Sequence, residues 1–470
     1  MGAHPVDSVI FGHLWSTPEV HALFDDRGRL QSWLEILAAL AEAQAEVGLV
    51  PGEAARQIRL YASVEHLDLE RVAEETRATG HSTLGLIHCL QEVLPEPGRT
   101  WIYYGATVQD LSDTWSALVM QEVGRILYRD LRRLESAALD LAQRHRDTVM
   151  SGRTHGQPGL PISFGFKAAV WAAELRRHLR RLNEGRRRWE VVQLGGALGT
   201  MEFWGQQAGP LLEAFAKRLD LGVSDIAWLT ARDGLAEFVA LLAMTTATLA
   251  KVGNEVYQLQ RPEIGELHEA VIPGQVGSIT MPHKRNPELS EHLGTLARVV
   301  RSDAALALEG MVHEHERDGR AWKTEWLIVP EACLLTAAAL SFAIRLLEGL
   351  VVDVDRMSAN LAARGGYVLS ALAVRTLSDR IGKHAAQDAV YRATMRGLDA
   401  KLTLREALVT EAAAGAVDAA VLDVELDPHR AMGSAPMMID RVADAARAAR
   451  ATEPEAMPPL SWTTARDPGS

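Results

Sequence analysis

One loop of the sequence gathers side chains that could bind and activate an anionic substrate. Residues 272–287 read IPGQVGSITMPHKRNP, a glycine-rich stretch that holds Ser278, Lys284 and Asn286. Pro287 fits the first turn of a following helix and Asn286 fits its cap, which puts Lys284 beside a helix N-terminus. Free N–H groups and the helix dipole attract a carboxylate there. The same residues also suit a capped loop without a ligand, and spacing alone leaves both interpretations open.

Five stretches of the chain together resemble one enzyme superfamily. GSITMPHKRNP, residues 277–287 and called the signature loop below, is similar to the GSSxMPxKxNP signature of the fumarase/aspartase superfamily, with one mismatch. The similarity extends to GATVQDLSDT, GRTHGQP, LQRPEIGEL and LDPHRAMGSA, and so covers nearly the whole chain. The resemblance implies an all-α fold of three helical domains with no cofactor and no metal. It also implies a homotetramer whose active sites combine loops from three subunits.

The resemblance assigns the proton-abstraction step to the signature loop. Ser278 matches the serine that removes the proton from the carbon beside a carboxylate. A free serine is a weak base, so it needs a closed, water-poor loop with N–H donors and Lys284 to stabilise its alkoxide. Lys284 and Asn286 would stabilise the doubly charged aci-carboxylate that follows. Thr107 matches the threonine that hydrogen-bonds a substrate carboxylate, although Val108 replaces the serine that is common at the next position.

A histidine in GRTHGQP resembles the residue that helps to protonate the leaving group. His155 would act near neutral pH, oriented and charged by Glu291, which lies one turn into the helix after the signature loop. His81, in ATGHSTLG, resembles a second histidine near the leaving group, although Ser82 replaces the aspartate that usually follows. Further predicted substrate contacts are Arg153, Thr154, Gln157 and Arg320.

Long amphipathic helices are predicted to position these side chains. Strand signals are few, and 101–104 is a short candidate. Helices of this length need equally long neighbours to bury their apolar stripes, which predicts an all-α bundle. Apolar residues recur every three to four positions over segments 30–47, 111–145, 164–192, 232–260, 287–309 and 330–350.

Glycine- and proline-rich stretches divide the chain into three parts. We predict an N-terminal helical domain at 1–106, a central long-helix bundle with the signature loop at 107–360, and a C-terminal helical domain at 361–470. The tail from about Thr452 is proline-rich and polar, and we predict that it is frayed.

Composition argues against several classes of function. The chain has 470 residues, with 49 basic and 61 acidic side chains, and its net charge of −12 forms no basic patch for nucleic acid. Cys89 and Cys333 are far apart and outside any metal-ligand spacing, so we expect neither a disulfide framework nor a zinc site. His313 and His315 would face different sides of a helix, which favours a charged surface over a metal site. We expect no secretory signal and no membrane span, and therefore a cytoplasmic protein.

The motifs for carboxylate binding match the superfamily better than those for the leaving group. Adenylosuccinate lyases carry a serine-rich segment that grips phosphate, whereas this chain has Arg320, Trp322 and Lys323 in EHERDGRAWKTEW. That segment and HALFDDRGRL look more like the 3-carboxymuconate cycloisomerase branch. We predict a small dicarboxylate or tricarboxylate substrate and β-elimination to fumarate, with nitrosuccinate, which would lose nitrite, as one candidate. Cycloisomerisation of 3-carboxy-cis,cis-muconate, adenylosuccinate cleavage and an inactive structural tetramer are the alternatives.

Overall fold

Helices account for almost all of the regular structure, which confirms the predicted all-α class. The computed structural model describes residues 4–271, 274, 276–411 and 418–462. The α-helices are α1 (Pro18–Phe24), α2 (Asp26–Glu46), α3 (Gly52–Tyr61), α4 (Leu69–Thr79), α5 (Leu84–Val93), α6 (Gly98–Trp101), α7 (Val108–Arg144), α8 (Phe164–Trp189), α9 (Ala208–Arg218), α10 (Asp233–Leu259), α11 (Glu288–Glu309), α12 (Gly319–Glu348), α13 (Val354–Ala362), α14 (Ser370–Ile381), α15 (Lys383–Asp399), α16 (Leu404–Thr410), α17 (Ala419–Glu425), α18 (Pro428–Ala431) and α19 (Ala435–Thr452). Short 3₁₀ helices occupy Pro5–Asp7, Gly12–Leu14, Val64–His66, Glu202–Gln207 and Tyr367–Leu369.

The long helices follow the predicted apolar periodicity closely, with one clear exception. We predicted that the last of them begins at Pro330, but α12 begins at Gly319 and contains Pro330 in its interior. A proline inside a helix removes one hydrogen bond and costs about 3 kcal/mol. Trp322 and Ile328, on the turns before it, are buried, and their packing outweighs that cost.

Strands occur only as two short antiparallel pairs in the described residues. The strands are β1 (Val149–Thr154), paired with β2 (Gln157–Ser163), and β3 (Leu267–His268), paired with β4 (Val351–Val352). The strand candidate at 101–104 was wrong. Trp101 ends α6 and Tyr103 takes a φ of 62°, which is left-handed and incompatible with an extended strand.

Five long helices, α7, α8, α10, α11 and α12, pack side by side as a central bundle. The larger hydrophobic core runs through this bundle and includes the N-terminal helix α2, for example at Leu34 and Leu37. A separate, smaller core joins α14 to α17 around Leu377 and Leu408. The domain limits at 106/107 and 360/361 stay predictions.

The segment after α19 lies against the bundle as far as the structure describes it. We predicted fraying from about Thr452, and for residues 453–462 this is wrong. Glu453 pairs with Arg132 at 3.1 Å and with the buried Arg176 at 2.7 Å, and the carbonyl oxygen of Pro454 accepts a hydrogen bond from Tyr128. The polar groups of the segment find partners on α7 and α8, which a count of prolines and polar residues does not show. Residues 463–470 lie outside the described part of the chain.

Among the helices of the described residues, two, α10 and α12, are long and apolar enough to cross a membrane by length and composition. Burial in the bundle accounts for this character, because 61% of the apolar window in α10 and 78% of that in α12 is buried inside the fold. Cys89 and Cys333 are both buried and unbridged.

A buried ion triad ties α7, α10 and α12 together at one end of the bundle. Arg232, which precedes α10, is 1% exposed and contacts Asp113 of α7 at 2.8 Å and Glu325 of α12 at 2.8 Å. Trp322 of α12 donates its indole N–H to Asp113 at 3.0 Å. With one cation between two carboxylates, the triad is sensitive to loss of the arginine.

We expect Arg232→Met to lower the free energy of unfolding by about 3–5 kcal/mol, because it leaves two buried carboxylates without a partner. Thermal melting and urea midpoints would measure the loss. Arg188→Met is the matched control, since it breaks an exposed pair with Glu237 and should cost less than about 1 kcal/mol. Equal losses of unfolding free energy in both variants would contradict the inference that the buried triad stabilises the fold more than an exposed pair does.

Candidate active site

The signature loop folds back on itself so that its two ends touch. Gly277 lies so near the other end that a Cβ at this position would be 2.7 Å from the carbonyl oxygen of Lys284. Ser278 is half-buried, and its hydroxyl accepts a hydrogen bond from the N–H of Met281 at 3.2 Å. The loop thereby brings the predicted base and the predicted lysine onto adjacent backbone segments. Residues 272, 273 and 275, which precede it, lie outside the described residues.

The helix that follows the signature loop starts differently from the prediction. We expected Pro287 as the first helical residue with Asn286 as its cap, but α11 begins at Glu288 and Pro287 occupies the cap position without a side-chain hydrogen bond. A carboxylate from elsewhere in the chain serves the helix end instead. Glu269 accepts hydrogen bonds from the N–H of Leu289 at 3.1 Å and of Ser290 at 2.8 Å.

This arrangement changes how an anion could bind near the signature loop. The first N–H groups of α11 already have a carboxylate partner, so the expected attraction of the bare helix end for a substrate is largely satisfied by Glu269. A substrate carboxylate must rely on side chains such as Lys284, which is exposed, and Asn286, which is half-buried. Gly277 and Asn286 line a cavity of about 390 Å³ at the base of the loop.

The motif GRTHGQP forms the turn between β1 and β2, a hairpin that was not predicted from the sequence. His155 and Gly156 take φ values of 52° and 74° between the paired residues Thr154 and Gln157. Two positive φ angles characterise the two-residue turns that fit the twist of a hairpin. The turn holds the His155 imidazole out in solvent, where it can meet a substrate bound from another direction.

Arg153, predicted to contact substrate, is occupied by a buried carboxylate of the chain. Its guanidinium forms two hydrogen bonds with Glu266, at 2.8 and 2.7 Å, and the Glu266 side chain is fully buried. Asn360 donates to the same carboxylate at 2.9 Å. This pair fixes the hairpin against the segment between α10 and the signature loop. A direct role of Arg153 in substrate binding stays a prediction.

A second group of polar residues surrounds Thr107 at the start of α7. Thr107 caps the helix and Asp110 accepts a hydrogen bond from the Thr107 N–H at 3.0 Å, the reciprocal pattern of a capping box. Arg317 donates to the Thr107 hydroxyl at 3.1 Å and to the side chain of Gln109 at 2.7 Å. Arg317 was not among the predicted substrate contacts, whereas Arg320 from the same segment was. Arg320 is exposed and pairs with Asp318.

Buried partners hold this second group in place. Asp110 also accepts hydrogen bonds from the N–H groups of Gly195 at 2.7 Å and Gly196 at 3.1 Å, and burial raises the pKa of its carboxyl to about 6. Gln109 donates to Asp113 at 3.0 Å, so the contact from Arg317 continues into the buried ion triad. Hydrogen bonds to buried groups therefore hold Thr107 and Arg317 in defined positions.

Three other predicted features have clear positions in the fold. His81 follows α4, and its Nδ1 accepts a hydrogen bond from the N–H of Thr83 at 3.3 Å, which leaves Nε2 to carry the proton of the neutral ring. The segment with His313 and His315 is a turn, so the helical argument about them was wrong. In the described ranges no three His, Cys, Asp or Glu side chains form a metal-binding group. Glu291 is exposed on α11 and makes no hydrogen bond with His155 in this chain.

Most of the candidate residues, but not His81, fall into two clusters toward opposite ends of the bundle. Thr107 and Arg317 lie where α7 begins, whereas the His155 hairpin follows the end of α7 and is joined through Glu266 to the segment before the signature loop. With 37 residues, α7 spans about 55 Å at 1.5 Å per residue. Residues of the two clusters in one chain are too far apart to act on one small molecule.

Similarity to known proteins shows the family to which the chain belongs. The model of the family described as "Lyase" matches residues 15–302, which is more than half of the chain. The protein belongs to this lyase family. N-acetyl-S-(2-succino)cysteine lyase from Dickeya dadantii is 37% identical over 444 residues, which cover 94% of this chain and 97% of that protein. Nitrosuccinate lyase from Streptomyces davaonensis is 35% identical over 454 residues, or 93% of this chain and 94% of the other.

Solved structures of the lyase superfamily share the fold over more than nine-tenths of the chain. The 3-carboxy-cis,cis-muconate lactonizing enzyme from Pseudomonas putida has a TM-score of 0.88 and 32% sequence identity, and the match covers 94% of this chain and 99% of that one. The predicted membership of the fumarase/aspartase superfamily and the predicted enzyme class, a lyase, are confirmed. The roles of the individual site residues stay predictions.

Proposed function

We propose that this lyase removes a proton beside a carboxylate of a small substituted succinate and expels the substituent from the neighbouring carbon as fumarate forms. The observation that carries the proposal is the folded signature loop, in which Ser278 and Lys284 lie on adjacent backbone segments beside Asn286. This set supplies a base and two groups that stabilise negative charge. The match of the muconate lactonizing enzyme fold to 94% of this chain supports it.

The proposed reaction proceeds through a carbanion. Ser278, as alkoxide, takes the proton from the carbon next to one carboxylate, and the electron pair passes into that carboxylate as the aci form. Lys284 and Asn286 stabilise this charge, which develops only in the transition state. The electron pair then returns to form the carbon–carbon double bond while the bond to the substituent breaks. His155 provides a proton where the leaving group needs one.

The second carboxylate of the substrate is assigned to the cluster around Thr107. The Thr107 hydroxyl and the Arg317 guanidinium are 3.1 Å apart, and Arg317 has a further N–H edge beyond its contacts with Thr107 and Gln109. A planar guanidinium next to a hydroxyl suits a carboxylate. This cluster lies at the start of α7, a helix about 55 Å long. The signature loop follows the end of α10, which pairs with the start of α8 near the other end of the bundle, so we infer that the two come from different copies of the chain.

We infer a homotetramer as the working form. Several large apolar side chains lie exposed on the long helices of the bundle, which a single copy leaves without partners. Their exposed fractions are 42% for Val170, 44% for Met244, 56% for Leu308 and 74% for Leu327. Packing of bundle against bundle would cover them and bring opposite ends of neighbouring copies together.

For the leaving group we favour a thiol, as in an N-acylated S-(2-succino)cysteine. The relative from Dickeya dadantii, named for that substrate, matches this chain over nearly its full length. Trp322 also argues against a phosphate-bearing leaving group, because its indole is 7% exposed and donates to the buried Asp113. A thiol with a pKa of about 8.5 departs as an anion more readily than an amine does.

The test is a substrate panel with purified protein. Absorbance near the fumarate band would be followed with N-acetyl-S-(2-succino)cysteine, nitrosuccinate, aspartate, argininosuccinate and adenylosuccinate, and a thiol reagent would detect released N-acetylcysteine. We expect fumarate and thiol in equal amounts from the first compound. Fumarate from another succinate alone would keep the elimination and change the leaving group.

Cycloisomerisation is the second candidate, favoured by the close match to the muconate lactonizing enzyme fold. It uses the same stabilised carbanion, with a carboxylate of the substrate itself forming or breaking the carbon–oxygen bond. Adding 3-carboxy-cis,cis-muconate to the panel separates the two reactions. Turnover of the muconate without fumarate release from any succinate would favour cycloisomerisation over elimination. No turnover of any compound in the panel would favour a structural protein without catalytic activity.

A further inference from the structure

We propose that Glu269 is a positioning residue of the active site, which holds the signature loop by serving as the carboxylate cap of α11. The inference rests on the proposed function for its kinetic part, because it concerns the same loop. Glu269 lies outside the signature loop and outside the residues predicted from the family motifs.

The carboxylate of Glu269 accepts three hydrogen bonds from the first turn of α11. Its carboxylate accepts the N–H groups of Leu289 and Ser290, at 3.1 and 2.8 Å, and the Ser290 hydroxyl at 2.7 Å. Ser290 is 4% exposed, so these bonds lie away from bulk water. A negative group at a helix N-terminus is further stabilised by the helix dipole.

A second side chain fixes Glu269 itself and reaches the loop. Gln260, at the end of α10, accepts a hydrogen bond from the Glu269 N–H at 2.8 Å and donates to the carbonyl oxygen of Arg285 at 3.1 Å. Gln260 and Glu269 thus form a clamp that joins α10, the end of the signature loop and the first turn of α11. Arg285 lies between Lys284 and Asn286, so the clamp fixes the position of the backbone from which the Lys284 and Asn286 side chains extend.

The clamp matters because the signature loop makes few other contacts with the fold. Ile279, Thr280, Met281 and Lys284 are exposed, and the hydrogen bonds of Ser278 and Lys284 to Met281 stay within the loop. The loop is therefore positioned through its C-terminal end. Misplacing a catalytic group by about 1 Å can cost about 10²-fold in rate.

Glu269→Ala leaves the α11 N–H groups exposed at a positive helix end, which creates a small vacancy for an added carboxylate. We expect kcat for fumarate release to fall by about 10²-fold while KM changes much less. Sodium acetate or formate should restore part of kcat, and should raise the Tm of Glu269→Ala but not that of the unaltered protein. Sodium chloride at equal ionic strength controls for salt.

Further variants separate positioning from general stability. Asp68→Ala removes a comparable cap from α4, where Asp68 accepts the Glu70 N–H at 3.0 Å, and should keep kcat unchanged with or without acetate. Gln260→Leu breaks the contact with Arg285, and should lower kcat without any rescue by acetate. Glu269→Gln keeps the shape of the side chain and should lower kcat less than alanine does, so it replaces Glu269→Ala if that variant does not fold.

Unchanged kcat in both Glu269 variants would overturn the proposal, as would a loss of kcat that acetate and glutamine both fail to mitigate. The Tm response to acetate needs no substrate. If the lyase activity itself were absent, that response would still decide whether Glu269 caps α11.

Discussion

Replacing Ser278 with alanine should lower kcat for fumarate release by about 10²- to 10⁴-fold, with little change in Tm. The alkoxide is the only group proposed to take the proton, and its hydroxyl makes one hydrogen bond, with the N–H of Met281 in the same exposed loop. Little of the fold depends on that bond. Stopped assays of fumarate with equal protein concentrations would measure the loss.

Thr280→Ala is the matched control for the base. Thr280 carries a hydroxyl two residues away in the same loop, and it is exposed. Its removal should leave kcat within about a factor of three, as expected for a surface change outside the chemistry. If Ser278→Ala kept more than a tenth of kcat, or if Thr280→Ala lost as much, the assignment of the base to Ser278 would fall.

Mixed assemblies of two inactive variants should regain activity. Arg317→Ala damages the cluster at the start of α7, and Ser278→Ala damages the signature loop at the other end of the bundle. If each site takes these two clusters from different copies, random mixing leaves both intact in about a quarter of the sites. Co-expression with two affinity tags and sequential purification would isolate the mixed assemblies for assay.

The control for mixing uses two changes in one loop. Ser278→Ala and Lys284→Ala both lie in the signature loop, which each site receives whole from a single copy. No mixture of these chains contains an intact loop, so no activity should return. Recovery in neither mixture would mean that the two clusters do not share a site. Equal recovery of activity in both mixtures would mean that the recovery does not come from combining clusters of different copies.

The sequence predicted the long helices well because their apolar stripes are long and regular. The limits of α8, α10 and α11 differ from the predicted limits by at most three residues. Shorter elements were harder. The β1–β2 hairpin carries GRTHGQP, yet Pro158 and two glycines in the motif suggested a loop, and only the two positive φ angles reveal the turn that closes it.

The candidate site depends on contacts between residues far apart in the chain, which local motifs do not predict. Glu269 caps a helix that begins 19 positions later in the chain, and Arg317 meets Thr107 across 210 positions. Neither spacing follows any local period. The sequence of the signature loop correctly predicted the helix that follows it but wrongly predicted the cap. Asn286 is a favoured N-cap residue by type, but Glu269, which directly follows β3, caps α11 instead.

The docking of residues 453–462 on α7 and α8 has a consequence for how the protein is made. Arg176 and Glu453 are 277 positions apart, so at about 5–20 residues per second a ribosome needs roughly 15–55 s to supply the second after the first. Until then Arg176 has only the buried carboxylate of Glu135 as its ion-pair partner, and Arg132 lacks its contact with Glu453. The long helices α7 and α8 therefore gain these ion pairs only after Glu453 has been translated, so their buried charges are neutralised late in synthesis.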